Sequence, residues 1–140
     1  MLIVQKYGGS SVADAAKIER VAGIIADSYN AGNDLVVVLS AQGDTTDDLI
    51  EKAHEINPNP SKREMDALLS VGEQISVALM AMQLEKMHLP AVSLTGWQAG
   101  MQTDSGYGAA RIRTLSTERI RQELDKRRIV LVAGFQGVNK

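Results

Sequence analysis

The 140-residue sequence contains no cysteine, three prolines, one tryptophan and one phenylalanine. Without cysteine, neither a disulfide framework nor a thiolate metal site is possible. Its two histidines, His54 and His88, are isolated and lack the spacing of a metal-ligand pair. Neither sign of charge predominates, because the sequence has 15 basic and 17 acidic side chains and no long block of either. Nucleic acid is therefore not an expected partner.

Long hydrophobic runs and targeting segments are absent as well. Residues 1–6 do not form a basic leader followed by an apolar stretch, and no segment approaches the roughly 18 apolar residues of a membrane span. We predict a soluble, cytoplasmic protein with no membrane partner. The hydrophobic content of 44% is enough to build one core, so we expect residues 1–140 to form a single compact unit.

Apolar runs with the character of β-strands alternate with helical periodicity along the chain. Residues 2–6 precede a double glycine, and residues 35–39 and 129–133 are apolar on both faces, as in the central strands of parallel sheets. Residues 90–95 predict another strand and residues 111–115 a weaker one, with a long glycine-rich loop over 96–108 between them. This alternation predicts a three-layer α/β sandwich with a mostly parallel sheet.

Capping signals place helices between the strands. Residues 11–14 have capping-box spacing and predict the start of a first helix that ends at residues 30–32. Thr45 or Thr46 is the expected cap of a second helix, which two prolines after residue 57 should stop.

Ser61 and Glu64 form a second capping box, which opens a long third helix to about residue 87. A charged amphipathic helix is predicted over residues 116–128. The apolar positions expected along the third helix are Met65, Leu68, Leu69, Ile75, Leu79 and Met82.

The chain stops seven residues after the predicted strand at 129–133, with no crossover helix to follow it. We expect this strand to lie beside an exposed sheet edge, which would recruit a partner strand. The sequence is therefore expected to be a truncated part of a larger domain, or to have its sheet completed by another segment. We also expect it to self-associate or form a homo-oligomer.

The segment Lys6-Tyr7-Gly8-Gly9-Ser10-Ser11 delivers a lysine and two glycines to the start of a helix. Glycines let backbone N–H groups approach phosphate oxygens, and the helix end and the lysine add positive charge. The segment matches neither common phosphate-binding motif. A plain strand-to-helix turn with a solvated lysine is the alternative.

Hydroxyl groups gather in residues 40–46, directly after a buried strand, where ligands bind in open α/β sheets. Helix capping alone is the competing interpretation. Gly72-Glu73-Gln74 interrupts the long helix with a glycine, which suggests a close approach by another group. We predict that the Glu73 carboxylate is partly buried and has a partner, either Arg63 or Lys62 or a substrate ammonium. Trp97 could place its ring against a ligand or anchor its loop, and we interpret it as an anchor.

Taken together, these segments resemble bacterial aspartate kinases, within the amino acid kinase or carbamate kinase-like fold. The resemblance runs over essentially the whole chain. The matching segments are residues 6–12, 36–43, 62–66, 72–74, 94–100 and 132–137.

The resemblance implies a role for individual residues. Lys6 would be the catalytic group placed against the transferring phosphoryl, and Glu73 would receive the substrate α-ammonium. Thr46 would line the substrate side, with one residue of alignment ambiguity toward Thr45. The positions implied for nucleotide phosphate binding are Lys6, Tyr7, Gly8, Gly9, Ser10 and Ser40.

The activity implied is transfer of a phosphoryl group from ATP, with Mg²⁺, to the side-chain carboxylate of L-aspartate. This reaction begins the biosynthesis of lysine, threonine and methionine. Family members also carry a Gly-Arg-Gly-Gly-Ser-Asp segment, a nucleotide-base half and regulatory ACT domains, none of which this sequence contains. We therefore expect residues 1–140 to be the N-terminal portion of the catalytic domain and to be inactive alone. The alternatives are a non-catalytic binding module and a related kinase acting on another carboxylate.

Overall fold

The computed structural model describes residues 1–103 and 112–134, with the strands at 101–103 and 112–115 described by their backbone alone. A short 3₁₀ helix, Gly9–Val12, follows the first strand. The helices are α1 (Ala15–Asn30), α2 (Thr45–Ile56), α3 (Lys62–Lys86) and α4 (Glu118–Asp125). The strands are β1 (Leu2–Tyr7), β2 (Asp34–Leu39), β3 (Ala91–Leu94), β4 (Met101–Thr103), β5 (Ile112–Leu115) and β6 (Ile129–Ala133).

Four of the strands form one parallel sheet in the order β1-β2-β6-β3. Its register pairs Val4 with Val36, Val36 with Val130, and Val92 with Val130. Helices cover both faces of this sheet, so the predicted three-layer α/β architecture with a parallel sheet is confirmed. The four strands predicted at 2–6, 35–39, 90–95 and 129–133 are all present.

The position of β6 contradicts one expectation. This strand lies inside the sheet, hydrogen-bonded to β2 on one side and β3 on the other. Because parallel strands are joined by crossovers, a strand late in the sequence can be inserted between two earlier ones. The predicted exposed edge beside β6 is therefore wrong, and self-association through that edge has no basis.

Alternating side chains of the central strands supply two separate cores. Leu35, Val37 and Leu39 pack with α1 and α3 on one face of the sheet. Val36 lies on the opposite face, in a smaller cluster that includes Leu124 of α4. Both faces of β2 and β6 are thus covered, which explains why their sequences are apolar throughout.

Two of the three predicted caps differ from the structure. The first helix is capped by Asp14, whose Oδ1 accepts a hydrogen bond from the Lys17 N–H at 2.9 Å, rather than by the predicted box at 11–14. Residues 9–12 instead form the 3₁₀ turn, so α1 begins later. Helix α2 already includes Thr45 and Thr46, and its N-cap residue is Asp44. The cap of α3 is confirmed, since Ser61 Oγ accepts from the Glu64 N–H at 3.3 Å.

The buried face of α3 also differs from the predicted apolar stripe. Ile75, Leu79 and Met82 are 39%, 38% and 61% exposed. The buried face lies on the other side of the helix, where Gly72 lets α3 pack closely against Ala41. The buried residues of α3 are Gly72, Glu73, Ser76, Val77, Met80, Ala81 and Leu84.

Helix α3 is long and apolar enough, by length and composition alone, to cross a membrane. The sequence analysis predicted no such segment. Core helices of soluble proteins pass the same test, and α3 contacts α1, α2, β2, β3 and β6. Seven residues of α3 are buried, and its length and composition are weak evidence for a membrane span.

Outside the main sheet, β4 and β5 form an antiparallel pair, with Met101 opposite Leu115. The weak strand predicted at 111–115 is therefore present as β5, but it is not part of the parallel sheet. The loop predicted at 96–108 contains β4, and residues 104–108 lie outside the described residues.

Candidate functional site

Strands β1 and β2 end side by side at one edge of the sheet, called here the carboxyl edge. Tyr7 is paired with Leu39, and the Ser40 N–H donates to the Tyr7 carbonyl at 3.2 Å. Lys6, the second-last residue of β1, is exposed. The turn that carries Gly8 and Gly9 and the loop that begins at Ser40 therefore leave the sheet together. The sequence analysis placed residues 40–46 at this edge and described residues 6–11 as a strand-to-helix turn.

Two hydrogen bonds join these segments to each other. The Gly43 N–H donates to the Gly9 carbonyl at 3.0 Å. The Gln42 side-chain amide donates to the Val12 carbonyl at 2.9 Å. The two segments therefore form one surface at the carboxyl edge.

Gly8 and Gly9 are adjacent but differ in the space around them. A Cβ atom at Gly9 would lie 2.7 Å from the Ala41 carbonyl oxygen, a distance that backbone atoms do not tolerate. A Cβ atom at Gly8 would meet nothing within 4 Å. Gly9 is thus required by the contact between the two segments, whereas the space beside Gly8 is open to an approaching ligand.

Gly72 brings α3 against the same loop. A Cβ atom at this position would lie 2.8 Å from the Ala41 Cβ and 3.7 Å from the Thr45 Cγ2. The close approach predicted from a glycine within the helix is therefore the approach of Ala41. The sequence analysis missed Ala41 as the common neighbour of Gly9 and Gly72, because an alanine in a loop carries no distinguishing signal.

Glu73 follows Gly72 and is only 4% exposed. Burial raises the pKa of its carboxyl to about 7, although a hydrogen bond from its own backbone lowers the pKa in part. Among the described residues, no ion pair includes Glu73, and Arg63 is paired instead with Glu64 at 2.7 Å. The predicted burial is confirmed, and the predicted salt bridge to Arg63 or Lys62 is absent from the described part of the chain. A buried carboxyl of this kind can accept a cation from a ligand.

The remaining predicted residues surround this junction. Tyr7 is half-buried, its hydroxyl donates to Gln5 Oε1 at 3.1 Å, and burial raises the pKa of the phenol. Ser10 is exposed within the 3₁₀ turn, and Ser40 is half-buried. Thr46 is the second residue of α2.

Trp97 is 73% exposed, so its interpretation as a buried anchor is wrong. Its turn is held by other groups: the Thr95 N–H donates to Gln98 Oε1 at 3.0 Å, and the Gln98 N–H donates to Thr95 Oγ1 at 3.2 Å. These reciprocal bonds order the turn without the indole ring. No cluster of three or more His, Asp or Glu side chains suited to a metal ion occurs among the described residues.

Comparison with known proteins gives a consistent assignment. The model of the amino acid kinase family matches residues 1–140. The aspartokinase of Geobacillus stearothermophilus is 54% identical over 139 residues, which are 99% of this chain and 34% of that protein. The aspartokinase of Corynebacterium glutamicum is also 54% identical, over 99% of this chain and 33% of its own length. The chain thus spans about a third of the length of these curated relatives.

Solved structures agree with this comparison. Aspartate kinase from Synechocystis superposes with a TM-score of 0.83 at 45% identity, covering 99% of this chain and 23% of that one. Aspartokinase III of E. coli, in complex with aspartate and ADP, has a TM-score of 0.79 at 22% identity. That match covers 96% of this chain and 41% of the E. coli chain, and it supports the fold alone. On its sequence, its sheet and the family model that spans its full length, the chain belongs to the amino acid kinase family.

Proposed function

We propose that this chain is the N-terminal portion of the catalytic domain of an aspartokinase. The whole protein would transfer the γ-phosphoryl group of ATP to the side-chain carboxylate of L-aspartate and release 4-phospho-L-aspartate. The observation that carries the proposal is the buried Glu73 carboxyl beside the joined segments of the carboxyl edge, in a chain 54% identical to aspartokinases over nearly its whole length. A substrate ammonium would supply the cation that this carboxyl lacks among the described residues.

The proposed reaction requires no general base. An aspartate carboxylate has an ordinary pKa near 3.9, so it is already ionised at neutral pH and can attack the γ-phosphorus directly. Catalysis then consists of positioning and of neutralising the charge on the transferring group. Lys6 is exposed at the end of β1 and could reach that group, while the space beside Gly8 would admit the phosphate oxygens.

The other assignments complete the proposed site. Thr46 and Glu73 would bind the amino acid. The residues proposed for the nucleotide phosphates are Lys6, Tyr7, Gly8, Gly9, Ser10 and Ser40. Mg²⁺ would be held chiefly by the phosphate oxygens of ATP, since the described residues offer no cluster of three metal ligands; it would neutralise phosphate charge. A place in lysine biosynthesis, a cytoplasmic location and a homo-oligomeric state are further parts of this proposal.

A turnover assay of the whole protein tests the proposal. The purified protein is supplied with ATP, Mg²⁺ and one of three acceptors: L-aspartate, L-glutamate or N-acetyl-L-aspartate. We expect ADP and a hydroxylamine-reactive acyl phosphate with L-aspartate, and little product with the other two. L-Glutamate has a longer side chain, and N-acetyl-L-aspartate lacks the ammonium that Glu73 would bind. Preferred turnover of either alternative acceptor would contradict the assignment of the substrate.

A further inference from the structure

Among the described residues, no charged side chain of α3 lies within one helical turn of Glu73. The residues three and four positions away on α3 are uncharged: Leu69, Ser70, Ser76 and Val77. Of these, Ser76 directs its hydroxyl to the Gly72 carbonyl at 3.5 Å. The carboxyl is therefore buried among neutral groups of its own helix.

The elements that pack against α3 add no charged partner among the described residues. Strands β3 and β6 carry no ionisable side chain, and Asp34 of β2 is paired with Arg127 at 2.8 Å. The acidic and basic side chains of α1 between Lys17 and Asp27 are exposed, as are those of α2 between Asp47 and Glu55. Tyr29 of α1 donates its hydroxyl to the Arg127 carbonyl at 2.6 Å. No described charged side chain contributes to the ionisation of Glu73.

We propose that amino-acid binding at Glu73 is an exchange of cations, in which the substrate α-ammonium replaces a proton held by the buried carboxyl. The inference rests on the proposed function and adds a regulatory property, sensitivity of substrate capture to pH. Its balance is simple: the neutral carboxyl and the ammonium ion form a carboxylate–ammonium pair, and one proton leaves to the solvent. No bond to carbon or phosphorus changes in this step.

The physical cause is the cost of burying an unpaired charge. Without substrate, burial favours the neutral carboxyl, and its pKa of about 7 lies above the ordinary value of 4.5. A bound ammonium at hydrogen-bonding distance favours the carboxylate, which lowers the pKa. Below neutral pH, the substrate must therefore displace the proton, and its apparent affinity falls about tenfold for each further pH unit.

Isothermal titration calorimetry of L-aspartate into the whole protein tests this exchange directly. Titrations at the same pH in two buffers of different ionisation enthalpy give the number of protons released on binding. We expect close to one proton per bound aspartate at about pH 6 and close to none at about pH 8.5. The dissociation constant should rise about tenfold between pH 8 and pH 6.

Two variants sharpen the experiment. Glu73→Gln removes the titrating group while keeping the side-chain volume, so its weakened binding should release no proton and should not depend on pH over this range. Glu85→Gln, at an exposed position on the same helix, should behave as the wild type.

The possible failures are distinct. Binding of L-aspartate by the wild type without proton release at pH 6 would overturn the exchange and leave the proposed function standing. Absence of any binding by the folded protein would overturn both. Circular dichroism of each variant verifies its folding, and the buffer comparison on the wild type requires no variant.

Discussion

Glu73 and Glu123 are both 4% exposed, yet they lie at opposite edges of the sheet and have opposite electrostatics. Glu123 is on α4 near the start of β6, and its two carboxylate oxygens accept hydrogen bonds from Arg128 Nη1 at 2.6 Å and Arg119 Nε at 2.9 Å. The hydrogen bond from Arg128 is the largest cause that holds the pKa of Glu123 below its usual range, while burial opposes it. For Glu73, burial dominates and raises the pKa.

The difference shows that burial alone does not determine what a carboxyl does. At the amino edge, where the parallel strands begin, Arg119 and Arg128 both pair with the Glu123 carboxylate, so its charge is neutralised within the fold. Arg127 adds to this edge by lying over the Tyr29 ring at 4.4 Å and pairing with Asp34. At the carboxyl edge, the described residues supply no ionic partner for Glu73. We therefore expect changes at the amino edge to affect stability and changes at the carboxyl edge to affect activity.

Lys6→Ala should have the largest effect. The variant removes an exposed cation at the carboxyl edge, so turnover of the whole protein should fall about 10²–10³-fold, as on loss of a contact to developing negative charge. Its free energy of unfolding should change by less than about 0.5 kcal/mol. Steady-state kinetics at saturating ATP and aspartate, together with urea denaturation, measure the two quantities.

The matched change at the amino edge is Arg127→Ala. It should lower the free energy of unfolding by about 1 kcal/mol, through loss of the Asp34 pair and the Tyr29 contact, while turnover stays normal. Wild-type turnover in Lys6→Ala would show that the lysine is not catalytic.

Glu73→Gln should have the second-largest effect, and its effect on the free energy of unfolding should depend on pH. The folded-state pKa of about 7 exceeds the ordinary value of 4.5, so the folded protein binds more protons than the unfolded chain between these values. The contribution of Glu73 to wild-type stability is therefore largest below about pH 4.5 and is lost as the pH rises through about 7. The total loss is on the order of 3 kcal/mol.

The Gln variant lacks this dependence. It should be more stable than the wild type at pH 8, with the difference disappearing toward pH 4.5. In the whole protein, its KM for aspartate should rise more than its KM for ATP, since a hydrogen bond to a charged group contributes about 1.5–3 kcal/mol. Urea denaturation across this pH range checks the first expectation. If the free energy of unfolding depended on pH equally in the two proteins, Glu73 would be ionised in the folded state.

Glu123→Gln should show the reverse pH dependence. Because the arginines lower its pKa, the Glu123 carboxylate stabilises the fold above its ordinary pKa, and this contribution disappears as the pH falls through the folded-state value. The variant should lose about 1–2 kcal/mol at pH 7, a modest loss because Arg119 and Arg128 are half exposed and hydrated. The difference in stability between the variant and the wild type should become smaller in acid. Thermal unfolding at pH 7 and pH 3 measures both, and a deficit that grows in acid would reject the pairing as its cause.

Two glycine substitutions should give the smallest effects, with opposite signs. Gly23→Ala in α1 places a methyl group in open space and should stabilise the protein by about 0.5–1 kcal/mol through helix propensity. Gly72→Ala gains the same propensity but puts its Cβ 2.8 Å from that of Ala41, so α3 must shift from the loop. We expect a net loss of about 1 kcal/mol and a raised aspartate KM. Stabilisation by both substitutions would show that the contact at Ala41 is loose.

Local sequence features predicted much of this structure. The apolar strands β2 and β6, the end of α1 at Asn30, and the Ser61 cap could be read directly, because each depends on neighbouring residues. The resemblance also directed attention to Glu73, whose burial the structure confirms. The catalytic and ligand-binding roles of the site residues remain predictions.

Features that depend on distant residues were predicted poorly. Apolar side chains occur on both sides of α3, so the pattern within this helix did not distinguish its buried face from its exposed one. Trp97 was interpreted as an anchor for its loop, whereas the Thr95–Gln98 hydrogen bonds order its turn and leave the indole ring exposed. The place of β6 depends on pairing of Val130 with Val92 and Val36, which lie 38 and 94 residues earlier, so hydrophobic pattern alone could not locate it.

The insertion of β6 between β2 and β3 also constrains the order in which the chain can fold. During synthesis, β1 and β2 can pair as soon as they leave the ribosome, but β3 has no neighbour in the sheet until β6 appears. Until then, Leu94 and Val36 lack the buried partners that α4 and β6 supply. Closing such a long-range parallel pairing is slow, because the intervening chain loses entropy before any contact compensates for it. Productive folding of the nascent chain therefore waits for Ile129–Ala133.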